Sequence, residues 1–304
     1  MKPVNPSSAA STASAVPGAA SPRSHSGRRA ARSPGAWLVH LVLLLAALVT
    51  LFPIYMGLLN SLKTEGEMMN NILALPRHLE LANYVGAFHK TNFMRSLGNT
   101  AYVAAISLTG IIGCASLAGY KLSRTPGKLS GFLFFLFVMS TLIPFHSVMI
   151  TLTKIAKTLA VQGSATGLGL IYIGLGVALA IFMYHGFVKT IPRDLDEAAV
   201  IDGCGELRLF AVVMFPLLLP ITATIAILNL LWVWNDFLLP LLMLTDYKSY
   251  TLLLSTNMLF GQYGNNDWSA ILSSLILAML PVILFYLLLQ RYIMKGIAEG
   301  AIKG

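Results

Sequence analysis

Charge is scarce in this chain. Only 11% of its 304 residues are Asp, Glu, Lys or Arg, against 56% hydrophobic. A soluble domain carries about 25% charged residues, so the chain reads as an integral membrane protein with little soluble mass. Cysteine is nearly absent too. Cys114 lies in an apolar segment and Cys204 in a polar one, with neither metal-ligand spacing nor a disulfide framework. No Gly-x-Ser-x-Gly, His-Glu-x-x-His or phosphate-binding glycine loop occurs. No catalytic residue and no metal site is therefore expected, and an intramembrane hydrolase has no nucleophile–base set. No internal repeat is visible, which withholds support from a transporter built on detectable repeats. The net charge of +9 does not point to nucleic acid, because the charges sit at the ends of apolar segments, where they set membrane orientation.

What is present is a series of long apolar runs. Six are long enough to cross a bilayer, which takes about 20 residues: Ala36–Leu59, Leu97–Tyr120, Leu129–Thr153, Thr166–Val188, Phe210–Leu238 and Trp268–Gln290. The fold class expected is an all-α membrane protein with six transmembrane helices, forming one domain over 36–304. Residues 1–35 are rich in Ser, Ala, Pro and Arg without apolar periodicity, as in a disordered basic tail. Arg28-Arg29 could open a twin-arginine signal, but no small-x-small cleavage site follows and the apolar run is too long for a cleaved signal. With six spans the termini share a side. That side collects 14 of the 21 lysines and arginines, so the N- and C-termini are expected in the cytoplasm. The first outer loop, about Asn60 to Arg95, has room for a short helix.

The most informative segment is polar: Ile191 to Asp202 within a loop at about 189–209. With Glu206 it holds five of the twelve acidic residues. Pro192 suits the first turn of a helix, and Asp194, Asp196 and Glu197 suit its dipole. Leu195, Ala198, Ala199 and Asp202 fall at spacings of three and four and are expected to share a face, where two alanines would let another backbone approach closely. Gly203 tolerates the left-handed conformation that ends a helix. The segment is too acidic and too poor in large apolar residues to rest on lipid headgroups. A docking surface for a soluble partner is the better reading.

Glu-Ala-Ala-Val-Ile-Asp-Gly (Glu197 to Gly203), followed by Phe210, Pro216 and Pro220, resembles the EAA loop of ABC-importer permeases. In that family the loop is a coupling helix that docks on the ATP-hydrolysing subunit. By position, Glu197, Ala198, Ala199 and Gly203 match the motif's fixed points, and Asp202 matches the acid before the glycine. Two positions depart mildly. Val213-Met214-Phe215-Pro216 stands where the family often has Ile-x-Leu-Pro, and Cys204 stands for a small Ala. The likeness covers most of the chain after residue 36. Asn60-Ser-Leu-Lys-Thr-x-x-Glu67 with Asn83-Tyr84, Trp234-Asn-Asp-Phe-Leu-Leu-Pro-Leu241 and the tail Gln290–Gly304 are similar to the carbohydrate-uptake, maltose-permease-like branch.

The resemblance implies a type I ABC importer permease fold with a cytoplasmic coupling helix, in a bacterial inner membrane. It implies a second permease subunit, an ATP-binding-cassette dimer that holds ATP and Mg²⁺, and an extracytoplasmic solute-binding protein as partners. It implies no cofactor in this chain, no enzymatic activity of its own, and a sugar or related solute as cargo. A tail contact with the ATPases is implied as well.

Asp236 is the only charge between Leu209 and Thr245, and a carboxylate in a span is a functional candidate. Twenty residues from Pro216 at about 1.5 Å each cover about 30 Å, which puts it near the outer interface. A helix cap or interface hydrogen bond, a sugar contact and a proton-coupling role all remain open. The last would make the protein an ion-coupled secondary transporter. Trp232, Trp234 and Asn235 beside it are candidates for the substrate pathway, although Trp is enriched at membrane interfaces in any case. Ser140 and Thr141, just before Pro144, suit the mending of a proline kink.

Overall fold

The computed structural model describes residues 34–261 and 266–301; of the tail expected to be disordered over 1–35, residues 1–33 fall outside them, while 34 and 35 begin a helix. The chain divides into two compact units, residues 1–50 and 51–304. In the first, the start of helix α1 (Pro34–Ser61) is apolar and exposed on every side from Trp37 to Thr50.

Every regular element of the second unit among its described residues is helical. After α1 come α2 (Glu65–Asn70), α3 (Ala82–Lys90), α4 (Phe93–Arg124), α5 (Lys128–Ser140), α6 (Phe145–Thr158), α7 (Ala165–Val188) and α8 (Asp194–Ile201). There follow α9 (Glu206–Arg208), a π-helical turn (Leu209–Met214), α10 (Phe215–Leu217), α11 (Leu219–Asn235), α12 (Leu238–Met243), α13 (Leu252–Asn257) and α14 (Trp268–Ala301).

Among the described residues, four helices are long and apolar enough to cross a membrane: Trp37–Ser61, Phe93–Arg124, Ala165–Val188 and Trp268–Leu288. The expected spans Leu129–Thr153 and Phe210–Leu238 are not single helices. The first is Lys128–Ser140 and Phe145–Thr158 bent by 100°; the second is Glu206–Leu217 and Leu219–Asn235 bent by 76°. Proline causes both breaks. Pro144 is extended at the N-cap of α6 and has no N–H for the carbonyl of Ser140. Ser140 and Thr141 turn their hydroxyls back to the carbonyls of Phe137 and Val138 at 2.7 Å each. Pro216 and Pro220 likewise cannot donate to the carbonyls of Val212 and Pro216. The chain answers with the π-helical turn, whose last bond runs from the Phe215 N–H to the Phe210 carbonyl.

The centre is the pair α4–α7, which glycines bring into near contact. A Cβ on Gly119 would lie 2.6 Å from Tyr184 Cβ and 3.1 Å from the His185 nitrogen, and one on Gly176 would lie 2.6 Å from Ile111 Cδ1. Close packing through small residues takes over where lipid removes the hydrophobic driving force between helices. Around this pair, Ile111, Ala115, Ile181, Tyr184, Met214 and Leu218 form one core cluster. Val103, Leu168, Tyr172, Val233, Leu239 and Met243 form another.

The Asn60–Glu67 and Asn83-Tyr84 motifs meet in a polar knot. Lys63 is 1% exposed, and its ammonium donates to Asn60 Oδ1, the Asn71 carbonyl and the Ile72 carbonyl at 3.0–3.1 Å. The Asn83 amide donates to the carbonyls of Ser61 and Lys63 at 2.9 and 2.8 Å, and Tyr84 shares a 2.6 Å hydrogen bond with Ser61. Three donors meeting three acceptors is what allows a charged amine to be buried. The loop thus holds two helices, α2 and α3, where one was anticipated.

Candidate functional site

The polar loop folds as anticipated at its end and differently at its face. Gly203 takes φ +78°. The N–H of Cys204 reaches the Ala199 carbonyl and that of Gly203 the Val200 carbonyl, each at 3.0 Å, which is a Schellman closure. At the start, Pro192 stands ahead of the helix and not in its first turn. Arg193 is the N-cap, and its carbonyl accepts from Asp196 and Glu197.

The expected common face splits. Ala199 is 6% exposed and turned into the protein, whereas Leu195, Ala198 and Asp202 are exposed. Adjacent residues sit about 100° apart on a helix, so the two alanines cannot both face one way. The outward surface combines Glu197, Ala198, Val200 and Asp202 with Ile201, which is 86% exposed. Among the described residues, no hydrogen bond or ion pair engages the Glu197 carboxylate. A surface that pairs large exposed apolar groups with unengaged acids suits a protein partner better than water.

What holds α8 in place was not legible beforehand. Asp196 Oδ1 accepts from the Tyr120 hydroxyl at 2.6 Å, and Oδ2 lies 2.9 Å from Arg124 Nη2. Arg124 also donates to the Ile191 carbonyl at 3.0 Å. Lys121 pairs with Glu206 at 2.8 Å. The last turn of α4 therefore grips the loop before, within and after α8. Between them is a cavity of about 320 Å³ lined by Tyr120, Arg124, Arg193, Glu197, Val200 and Glu206, among others. An acid in one loop and a base at the end of a span facing the same side were the available signals.

A second site surrounds the end of α11. Asp236 Oδ1 accepts from the N–H groups of Leu238 and Leu239 at 2.9 and 3.4 Å, and Oδ2 from the Tyr172 hydroxyl at 2.8 Å. Both oxygens are occupied in capping α12 and tying it to α7. Asn235 is exposed, with its amide on the Leu231 carbonyl at 2.8 Å. Asn235 and Asp236 line a groove of about 480 Å³ with Phe145, His146, Trp232 and Phe237. Trp234 turns away. It is buried beside Phe93, Leu252 and Ala278, edge-on to Phe285 at 5.9 Å. Trp232 stands on the groove, edge-on to Tyr172 at 5.2 Å. Two residues along a helix amount to about 200°, which sends the two indoles to opposite sides. No cluster of His, Cys, Asp or Glu fit to hold a metal occurs among the described residues.

Continuous and broken apolar helices long enough to cross a bilayer, with a short clamped polar helix between two of them, are the features of a multi-span membrane protein. The comparisons make this specific. Residues 111–299 match the family described as binding-protein-dependent transport system inner membrane component, and the chain belongs to it. It is 39% identical to a probable starch degradation products transport system permease protein, AmyC, of Thermoanaerobacterium thermosulfurigenes, over 84% of this chain and 93% of that one. It is 32% identical to the melibiose/raffinose/stachyose import permease protein MelC of Bacillus subtilis, over 91% of this chain and 100% of that one. Among solved structures, a bacterial ABC transporter involved in the import of the acidic polysaccharide alginate superimposes with a TM-score of 0.72. The two are 20% identical, and the match covers 84% of this chain and 95% of that one. The fold is that of a type I ABC importer permease.

Proposed function

We propose that this permease subunit imports a sugar or related solute, delivered by an extracytoplasmic solute-binding protein and driven by ATP. ATP and Mg²⁺ sit on a separate ATP-binding-cassette dimer, and a second permease subunit completes the pathway. The N- and C-termini lie in the cytoplasm of a bacterial inner membrane. The observation that carries this reading is α8: rigidly clamped through Asp196, capped at Gly203, and offering Glu197, Ala198, Ile201 and Asp202 outward. Glu197, Ala198, Asp202 and Gly203 contact the ATPase or shape the contact, and buried Ala199 seats the helix. Closure of the ATPase dimer on ATP moves α8 and, through it, the spans, which exposes the pathway to each side in turn.

The groove beside α11 is the substrate pathway of this subunit. Asn235 offers a polar contact, and Trp232 offers an aromatic face for a pyranose ring. Trp234 and Asp236 act through structure: the first packs α11 on α14, the second fixes α12 and Tyr172. The names of two relatives, a probable transport system permease for starch degradation products and an import permease for melibiose, raffinose and stachyose, support the substrate class. An ion-coupled transporter would need Asp236 to exchange a proton, and its engaged oxygens disfavour that. The test is uptake into proteoliposomes holding the purified importer. Labelled oligosaccharide should enter only with ATP on the α8 side and binding protein on the other. Uptake driven by an ion gradient without ATP would overturn the reading.

A further inference from the structure

Only two membrane-crossing helices among the described residues are free of proline and of breaks, α4 and α7. The others contain Pro53, Pro144, Pro216 with Pro220, or Pro281. The uninterrupted pair is also the pair interlocked at Gly119 and Gly176, where backbone and core side chains leave no room for a Cβ. A kinked helix can absorb a displacement at its bend. A straight pair locked along its length passes it on.

Each end of α4 holds a separate segment of chain through side chains. At one end are Tyr120 and Arg124, on Asp196 and Ile191. At the other, Asn99 donates to the carbonyls of Lys248 and Tyr250 at 2.8 and 3.0 Å. There too, Thr100 Oγ1 accepts from the Leu252 N–H at 2.8 Å, and the hydroxyls of Ser96 and Ser255 share a 2.8 Å bond. Ser96 and Thr100 are buried. Among the described residues no backbone hydrogen bond joins α4 to either segment, so these side chains are the polar grip. From Asn99 to Tyr120 the helix rises about 32 Å, roughly a bilayer's hydrocarbon thickness.

We propose that α4, stiffened by α7, is the rod that couples α8 to the loop around 248–255. In this arrangement Ser96, Asn99 and Thr100 are positioning residues at one end, and Tyr120 and Arg124 at the other. The proposal rests on the importer reading, whose six-span topology puts that loop on the outer side, where the binding protein delivers its solute, and α8 on the side of the ATPase. Coupling of this kind is reciprocal: a liganded binding protein on the loop biases α8, and an ATP-closed ATPase on α8 biases the loop. The physical warrant is an element whose position both sites can bias.

The test uses the complete importer in nanodiscs, wild type beside the double variant Asn99→Leu with Thr100→Val, which removes three of the four outer bonds at near-constant volume and leaves only that between Ser96 and Ser255. The variant should assemble with the same partners and keep basal ATP hydrolysis, while stimulation by liganded binding protein falls by about five-fold or more. Thr100→Ser, which keeps the acceptor, should retain stimulation. A second measurement needs no variant. Amide exchange at residues 248–255 in the wild type should change when ATP closes the ATPase. Full stimulation in the double variant, or exchange there that ignores ATP, would overturn the rod and leave the importer reading standing. A wild-type protein that brings down no ATPase would instead overturn the importer reading itself.

Discussion

Replacing Gly119 by alanine adds one methyl group where α4 lies directly against the backbone of α7. The new Cβ would sit 2.6 Å from Tyr184 Cβ, 3.1 Å from the His185 nitrogen and 3.2 Å from the Ile181 carbonyl oxygen. Carbon atoms are comfortable at about 3.5–4.0 Å, so the helices must separate by about 1 Å. A rotamer change in Tyr184 gives no relief, because its Cβ and the neighbouring backbone are themselves the obstacles. Overpacking of this kind costs about 1–3 kcal/mol. Gly113→Ala is the internal control. It lies in the same helix, with nothing within 4 Å of its Cβ, so only helix propensity acts, in favour of alanine by up to about 1 kcal/mol. Thermal unfolding in detergent should therefore separate the two variants in opposite directions, Gly119→Ala below wild type and Gly113→Ala level with it or above. Equal melting temperatures would refute the interlock, and with it the rigidity assigned to the pair.

Lys63→Met keeps the length of the side chain and strands the Asn60 Oδ1 and Asn71 acceptors, while the Ile72 carbonyl keeps the Asn60 amide at 3.0 Å. It should destabilise by about 3 kcal/mol or more and expose 64–72 to protease, and an unchanged cleavage pattern would contradict the knot. Asp236→Ala strips α12 of its cap and leaves the buried Tyr172 hydroxyl unpaired, at a cost of about 2–4 kcal/mol. Asp236→Asn keeps an acceptor and should lose less, and a reversed order in thermal unfolding would sink the capping role. Asp267 feels burial, which raises its pKa, but the Lys90 hydrogen bond and the Ala270 N–H outweigh it and hold the carboxyl below its ordinary value. Its stabilisation is thus complete above the ordinary value of about 4 and is lost as pH falls through the lowered one. The melting difference between wild type and Asp267→Asn should be flat from about pH 5 to 8 and should shrink only below about 4; a difference that grows on acidification would contradict the sign.

How much of this was readable beforehand follows the range of the interactions concerned. Spans and their order are a matter of composition, and four of the six stand as single helices. Pro144 and the Pro216–Pro220 pair announced trouble for the other two, but proline removes a donor without specifying an angle, so bends of 100° and 76° were beyond reach. The existence of α8 and its Gly203 terminus are local matters and were legible. Its inward face was not, because Tyr120 and Arg124, which choose it, lie some seventy residues away in sequence. The same holds at α11. The sequence marks two tryptophans beside an acid, but only packing against Phe285 and Tyr172 decides that Trp234 is buried and Trp232 faces the groove.

The central claim is that α8 docks an ATPase through its outward acids, and a tagged pull-down from native membranes tests it most directly, with wild type beside Glu197→Lys. Glu197 is exposed and engages no neighbour among the described residues, so the variant should fold, insert and keep its second permease subunit. The account predicts that wild type brings down an ATP-binding subunit and a second permease, and that the variant loses the ATPase alone and transports nothing. A variant that retains the ATPase and transports normally, or a wild type that comes down by itself, would contradict it.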